Sequence, residues 1–249
     1  MLGPVVAGGM LSVWGPTAVF YMDALGFFVV AGVVYFLKIQ PAPEREFLGD
    51  QKKGLNLIYF FEEKKLRYLL GQLFIAMITI FPMFITVLRT FSVSKFGLSS
   101  EEFGQVFMYP ALGSVLGSIG FAVWKPSNPM SAVKIGIPLT FMFYFLLPSA
   151  SSLYILCFLM CLMGFSAYLM FAAITVGLQL EVKEEYRGRV SSLIGFAFGC
   201  LGPFACFPIG YLADAISEET TLHLFSCVFL MASGLWYFLY QRTKIERTI

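Results

Sequence analysis

Long stretches of this chain carry no charge at all, and that feature decides the solvent in which it can fold. Residues 68–88 run uncharged between Arg67 and Arg89, and residues 103–124 between Glu102 and Lys125. Residues 135–180, between Lys134 and Glu181, are long enough for two helices. Leu147-Pro148-Ser149-Ala150-Ser151-Ser152 supplies the turn between them, because Pro and Ser clusters interrupt helices. Residues 190–213 and 220–241 complete the series. A helix needs about 20 apolar residues to cross a hydrocarbon core of about 30 Å, so six spans follow residue 66. The runs are continuous rather than alternating, which excludes a barrel, and an open sheet cannot satisfy its backbone in lipid.

Composition agrees. Only 13% of the 249 residues are charged, against about 25% in a soluble domain, and 58% are hydrophobic. That leaves too little polar surface to cover a water-soluble globule, so the partner is the lipid bilayer. A net charge of +2 is too small for a nucleic-acid footprint. The five cysteines lie in apolar runs and imply no disulfide framework.

The first 37 residues hold two further helices, separated at Trp14-Gly15-Pro16. Residues 17–38 are expected to span. The segment before the break, about 21 Å long at about 1.5 Å per residue, is too short to cross and resembles no signal peptide. Either it is re-entrant or the chain begins within a span. The expected fold is an all-α polytopic bundle of about eight transmembrane segments, the first incomplete. Residues 66–249 form a six-helix unit, and 39–65 form the connector to the first pair. Leu55, Ile58, Tyr59 and Leu66 among its charges fit either an amphipathic surface helix or a solvated linker.

Orientation follows from Lys and Arg, which accumulate in cytoplasmic loops. Assigning the connector to the cytoplasm leaves only Arg89 and Lys95, of 17 basic residues, on the outside. The C-terminus is then cytoplasmic and the protein is expected in the plasma membrane.

The ends of the chain echo one another. Gly3-Pro4-Val5-Val6-Ala7-Gly8-Gly9 answers Gly202-Pro203-Phe204-Ala205-Cys206-Phe207-Pro208, and Tyr35-Phe36-Leu37 answers Tyr237-Phe238-Leu239. The first pair of helices reads as the end of one repeat and the last pair as the end of another. The first repeat then lacks its opening four helices, and a separately encoded N-terminal half becomes a possible partner.

Six-plus-six halves joined by a basic loop resemble the major facilitator superfamily of secondary transporters. Gly3-Pro4-x-x-x-Gly8-Gly9 is similar to the glycine-proline motif of the fifth helix in antiporter members, with one extra residue before the glycine pair. Arg187-Gly188-Arg189-Val190-Ser191-Ser192-Leu193 resembles the loop before the eleventh helix, and Gly199-Cys200-Leu201-Gly202-Pro203 through Asp214 resembles that helix. The pattern is most similar to the efflux branch that includes enterobactin exporters, macrolide pumps and transmembrane secretion effectors. The echo of the family's charged loop survives only as Trp124-Lys125-Pro126-Ser127-Asn128-Pro129, without its acid.

Asp23 is the one acid inside a span, and an ionisable group there is costly. It is either a proton-coupling carboxylate or a carboxylate reaching the headgroups. Arg89 lines an outer vestibule, pairs with Asp23 or Asp214, or snorkels to the headgroups. Glu181, Glu184, Arg187 and Arg189 are candidates for a cytoplasmic latch, and a topogenic anchor accounts for the same charges. Gly3, Pro4, Gly8, Gly202 and Pro203 are cavity or gate candidates. The rows Gly113-x-x-x-Gly117-x-x-Gly120 and Gly195-x-x-x-Gly199-x-x-Gly202 are expected to pack helices closely. Cys157-x-x-x-Cys161 lacks the ligands that a metal site needs, so neither metal nor cofactor is expected. No phosphate-binding loop of the G-x-x-x-x-G-K-[ST] type occurs, and no span holds a His/acid constellation for catalysis. The resemblance implies gradient-driven efflux of a small amphipathic molecule by proton antiport. The alternative is a non-transporting remnant or partner subunit of a split carrier.

Overall fold

A computed structural model describes residues 3–37, 63–124, 126 and 128–245. Most of the connector, with Leu55, Ile58 and Tyr59, lies outside the described residues. Those described are helical and contain no strand.

Six segments among them are long and apolar enough to cross a membrane: Lys64–Phe96, Glu102–Trp124, Pro129–Ser149, Leu153–Glu181, Glu184–Ile216 and Glu218–Arg242. Each contains one expected charge-free run. The helices overrun the runs because a span continues through the headgroups, where charge is tolerated. Thus α2 (Lys64–Phe96) carries Arg89 and Lys95 on its last turns and stops at Gly97. Gly97 adopts φ 64°, a left-handed cap that glycine takes without strain.

Ahead of these, α1 (Gly3–Phe36) is kinked at Gly15, where φ is 73° and ψ is 176°. Glycine alone enters that region freely, and Pro16 disfavours a helical residue before it. The expected break is therefore real. Past it, the apolar helix Phe20–Phe36 is shorter than the six spans, and its side chains are almost all exposed.

The short α3 (Ser100–Val106) was not expected as a separate helix. Ser99 accepts a hydrogen bond from the Glu102 amide while the Glu102 carboxylate accepts one from the Ser99 amide. That Ser-x-x-Glu capping box is legible in the sequence. After it come α4 (Met108–Trp124), α5 (Pro129–Leu146), α6 (Leu153–Glu181), α7 (Glu184–Ile216) and α8 (Glu218–Ile245). The Leu147–Ser149 turn lies where expected, and Ser152 caps α6 by accepting from the Ile155 amide.

The bundle consists of two groups of three helices. In one, α6 packs on α4 and α5; in the other, α2 packs on α7 and α8; contacts of α2 with α6 and of α5 with α8 join them. Lys65 at the start of α2 reaches Glu181 at the end of α6, so these central helices run oppositely. Together they contribute much of the core, including Leu66, Leu73, Met77 and Met83 from α2 and Leu156, Met160, Met170 and Ile174 from α6.

Lipid tails are as apolar as leucine, so close packing and interhelical hydrogen bonds, rather than escape from water, hold such helices together. The row on α4 meets that need. A Cβ added at Gly113 would lie 1.8 Å from the Cys161 carbonyl oxygen, and one at Gly117 2.5 Å from that of Phe165. From the other side, a Cβ at Gly164 would lie 2.1 Å from the Pro110 carbonyl oxygen. The second row departs from expectation. Gly195 and Gly199 have nothing within 4 Å, and only Gly202 packs, against Phe81. Gly195 and Gly199 face outward, and of this row only Gly202 is turned toward α2.

Candidate functional site

Both α2 and α7 lose regular geometry at the same level of the bundle. Pro82 has no amide hydrogen for the Ile78 carbonyl, and a π-helical turn, Met83–Val87, follows it. Pro203 likewise cannot serve Gly199, and α7 widens into a π-helical turn over Ala197–Leu201 just before it. Each irregular turn packs on the other helix. Such turns often mark functional positions. Between them, Phe198 sits edge-on to Phe81 at 6.4 Å and lies 5.8 Å from Phe171.

Phe81 and Phe171 are also walls of a cavity of about 300 Å³ between α2, α4, α5 and α6. Phe84, Phe107, Pro110, Tyr144, Met163 and Tyr168 continue the lining. Its polar side-chain groups are the hydroxyls of Ser114, Tyr144 and Tyr168, and none of the lining residues is charged. A small ligand pocket is typically apolar, aromatic and furnished with a few orienting polar groups. This one suits an apolar or amphipathic molecule held by ring faces and hydroxyls. Among the described residues, no group of three His, Cys, Asp or Glu side chains is placed to hold a metal ion.

The profile of the Major Facilitator Superfamily matches residues 1–206. The chain belongs to the Major Facilitator Superfamily. It is a membrane transporter by family and by its apolar helices. No curated protein matches the chain.

The candidate residues of this superfamily member are spread over the molecule. Asp23 is exposed on α1 and makes no hydrogen bond or ion pair among the described residues. Gly3, Pro4 and Gly8 lie in the first part of α1, and their surroundings fall outside the described residues. Arg89 lies over the Phe103 ring at 5.7 Å and shares a cavity of about 370 Å³ with Glu218; neither Asp23 nor Asp214 lines it. Gly202 packs on Phe81, one wall of the aromatic cavity, while Pro203 beside it is exposed. Of the latch candidates, Glu181 pairs with Lys65, and Arg189 lies over the Tyr186 ring at 5.2 Å. The Arg187 amide donates to the Glu184 carbonyl, and its guanidinium makes no hydrogen bond or ion pair among the described residues.

The aromatic lining was not foreseen. Its members come from helices up to about ninety positions apart, and their sequence signal is only the general abundance of phenylalanine. Pro82, flanked by Phe81 and Phe84, was the nearest available hint.

Proposed function

We propose that this transporter carries small apolar or amphipathic molecules outward across the plasma membrane in exchange for protons. The observation that carries the substrate class is the cavity between α2, α4, α5 and α6, aromatic and uncharged, with hydroxyls as its polar side-chain groups. Dispersion against ring faces selects by size and shape more than by identity, which suits broad substrates. The resemblance to efflux carriers supports the direction. Asp23 is the coupling residue in this reading, as the one acid within an apolar helix, where an ionisable group is costly. The charge asymmetry of the loops supports a cytoplasmic C-terminus. Arg187 and Arg189 then belong to the cytoplasmic gate.

A second reading is favoured by the exposed apolar side chains of α1 and the outward row Gly195 and Gly199. In it, the six-helix unit works only when a further set of helices covers those faces. Alternating access needs two bodies rocking about a shared site.

The test is transport in vesicles with an imposed pH gradient, using a fluorescent amphipathic dye. Gradient-dependent movement that Asp23→Asn abolishes, with the variant folded, supports the first reading. Movement only after co-reconstitution with a fragment supplying the four opening helices of the first repeat supports the second. No transport under either condition would sink both.

A further inference from the structure

The largest of the cavities described, about 540 Å³, is not in the aromatic centre but at the basic end of the bundle. It lies between the first turns of α2 and the last turns of α8. Lys64 and Arg67 from α2 and Arg242 from α8 supply three cations, and Tyr68, Trp236 and Tyr240 supply its aromatic wall. No acidic residue is among the described lining residues.

This wall is built rather than incidental. The Trp236 indole Nε1 donates to the Tyr68 carbonyl oxygen at 3.0 Å. Gly71 makes room for the ring, since a Cβ there would sit 2.3 Å from Trp236 Cε2. The Tyr68 and Tyr240 rings lie 4.9 Å apart. Two features are then left without a purpose. Lys64 makes no ion pair among the described residues, whereas its neighbour Lys65 is matched by Glu181. Tyr68 is only 1% exposed, yet its hydroxyl has no hydrogen-bond partner. The charge of Lys64 is unmatched among the described residues, and a buried hydroxyl without a partner is unfavourable; an anion rich in acceptor oxygens relieves both.

The surroundings say what carries that anion. Met231, Leu235 and Phe238 follow one another at i, i+4 and i+7 on α8, all well exposed, and Arg242 continues the same face at i+11. An apolar track therefore leads from the membrane interior straight to the cations. Cations and aromatic rings at the end of a span suit the headgroup level, and basic pockets between spans hold anionic headgroups. We propose that this cavity binds the phosphate of an anionic phospholipid. Lys64, Arg67 and Arg242 face the phosphate, Tyr68 donates its hydroxyl to an oxygen of the headgroup, and one acyl chain lies along Met231, Leu235 and Phe238.

Native mass spectrometry of the detergent-purified chain, titrated with dioleoyl phosphatidylglycerol or dioleoyl phosphatidylcholine, tests this. One phosphatidylglycerol is expected to bind at least tenfold more tightly than phosphatidylcholine. Lys64→Gln with Arg242→Gln is expected to remove that preference, while Arg187→Gln with Arg189→Gln, at the same end but outside the cavity, leaves it intact. Equal loss in both pairs would overturn the site in favour of diffuse surface charge. Inorganic phosphate at millimolar concentration is expected not to compete; equal competition would reassign the cavity to a soluble anion and overturn the lipid. Tyr68→Phe keeps the ring and removes the orphaned hydroxyl. It is expected to unfold no earlier without lipid, yet to gain less thermal stability from phosphatidylglycerol. An unchanged gain would remove Tyr68 from the site.

Discussion

Lys65 Nζ lies 2.8 Å from Glu181 Oε1, joining the first turn of α2 to the last turn of α6 across 116 positions of sequence. At the other end of α2, Lys95 Nζ lies 2.9 Å from Glu219 Oε1 and also donates to the Pro148 carbonyl. The central helix is thus tied at both ends to elements that arrive later in the chain. Both Lys65 and Glu181 are substantially exposed, so the pair sets register more than it stabilises. Lys65→Glu is expected to lower stability modestly and Lys65→Glu with Glu181→Lys to restore it. The coupling energy in a double-mutant cycle should be about 0.2–1 kcal/mol and should shrink with salt. A salt-independent coupling of several kcal/mol would contradict a solvent-screened pair.

Gly113 and Gly164 allow α4 and α6 to touch backbone to backbone. Gly113→Val or Gly164→Val forces them apart and is expected to cost about 3 kcal/mol or more. Gly195→Ala and Gly199→Ala meet open space within the chain, and as helical substitutions they should be neutral or slightly stabilising. Unfolding of the purified variants in detergent separates the two classes. Equal destabilisation by all four would mean that the glycine row on α7 is already packed.

Gln72 Nε2 donates to Ser233 Oγ at 2.8 Å in the buried contact of α2 with α8. Ser233→Ala leaves that amide unpaired and is expected to cost about 1–3 kcal/mol. Adding Gln72→Leu should recover part of the loss, because the double change removes both partners. A double variant less stable than Ser233→Ala would show that the Gln72 side chain serves another neighbour.

The aromatic cavity makes its own prediction. Phe84→Ala is expected to weaken binding of an apolar fluorescent dye several-fold, measured by quenching in detergent. Tyr168→Phe should spare purely apolar dyes and weaken those carrying a hydrogen-bonding group. Identical effects on both classes of dye would remove the Tyr168 hydroxyl from ligand recognition.

Orientation can be read directly. In a background without the five native cysteines, Arg187→Cys should react with an impermeant maleimide only from the cytoplasmic side, and Ser217→Cys only from outside. The reverse pattern would invert the topology and move the gate role of Arg187 and Arg189 to the other face.

The spans, the break at Gly15, the turn at Leu147–Ser149 and the packing role of Gly113 and Gly117 were all legible in the sequence. Each depends on properties of neighbouring residues: a run without charge, a glycine before a proline, small residues one turn apart. Which faces meet was not legible. The outward Gly195 and Gly199 carry the same spacing as the packed Gly113 and Gly117, and only the side α7 turns toward α2 distinguishes them. Glu181 was grouped with Arg187 and Arg189 because they are close in sequence, yet its partner is Lys65. Phe81, Tyr144 and Phe171 form one cavity because α6 packs on both α2 and α5 at the centre of the bundle. Hydropathy acts residue by residue along the chain and so determines where helices start and stop in lipid. Charge pairs and cavities depend on relative helix rotation and depth, which only the packed bundle decides.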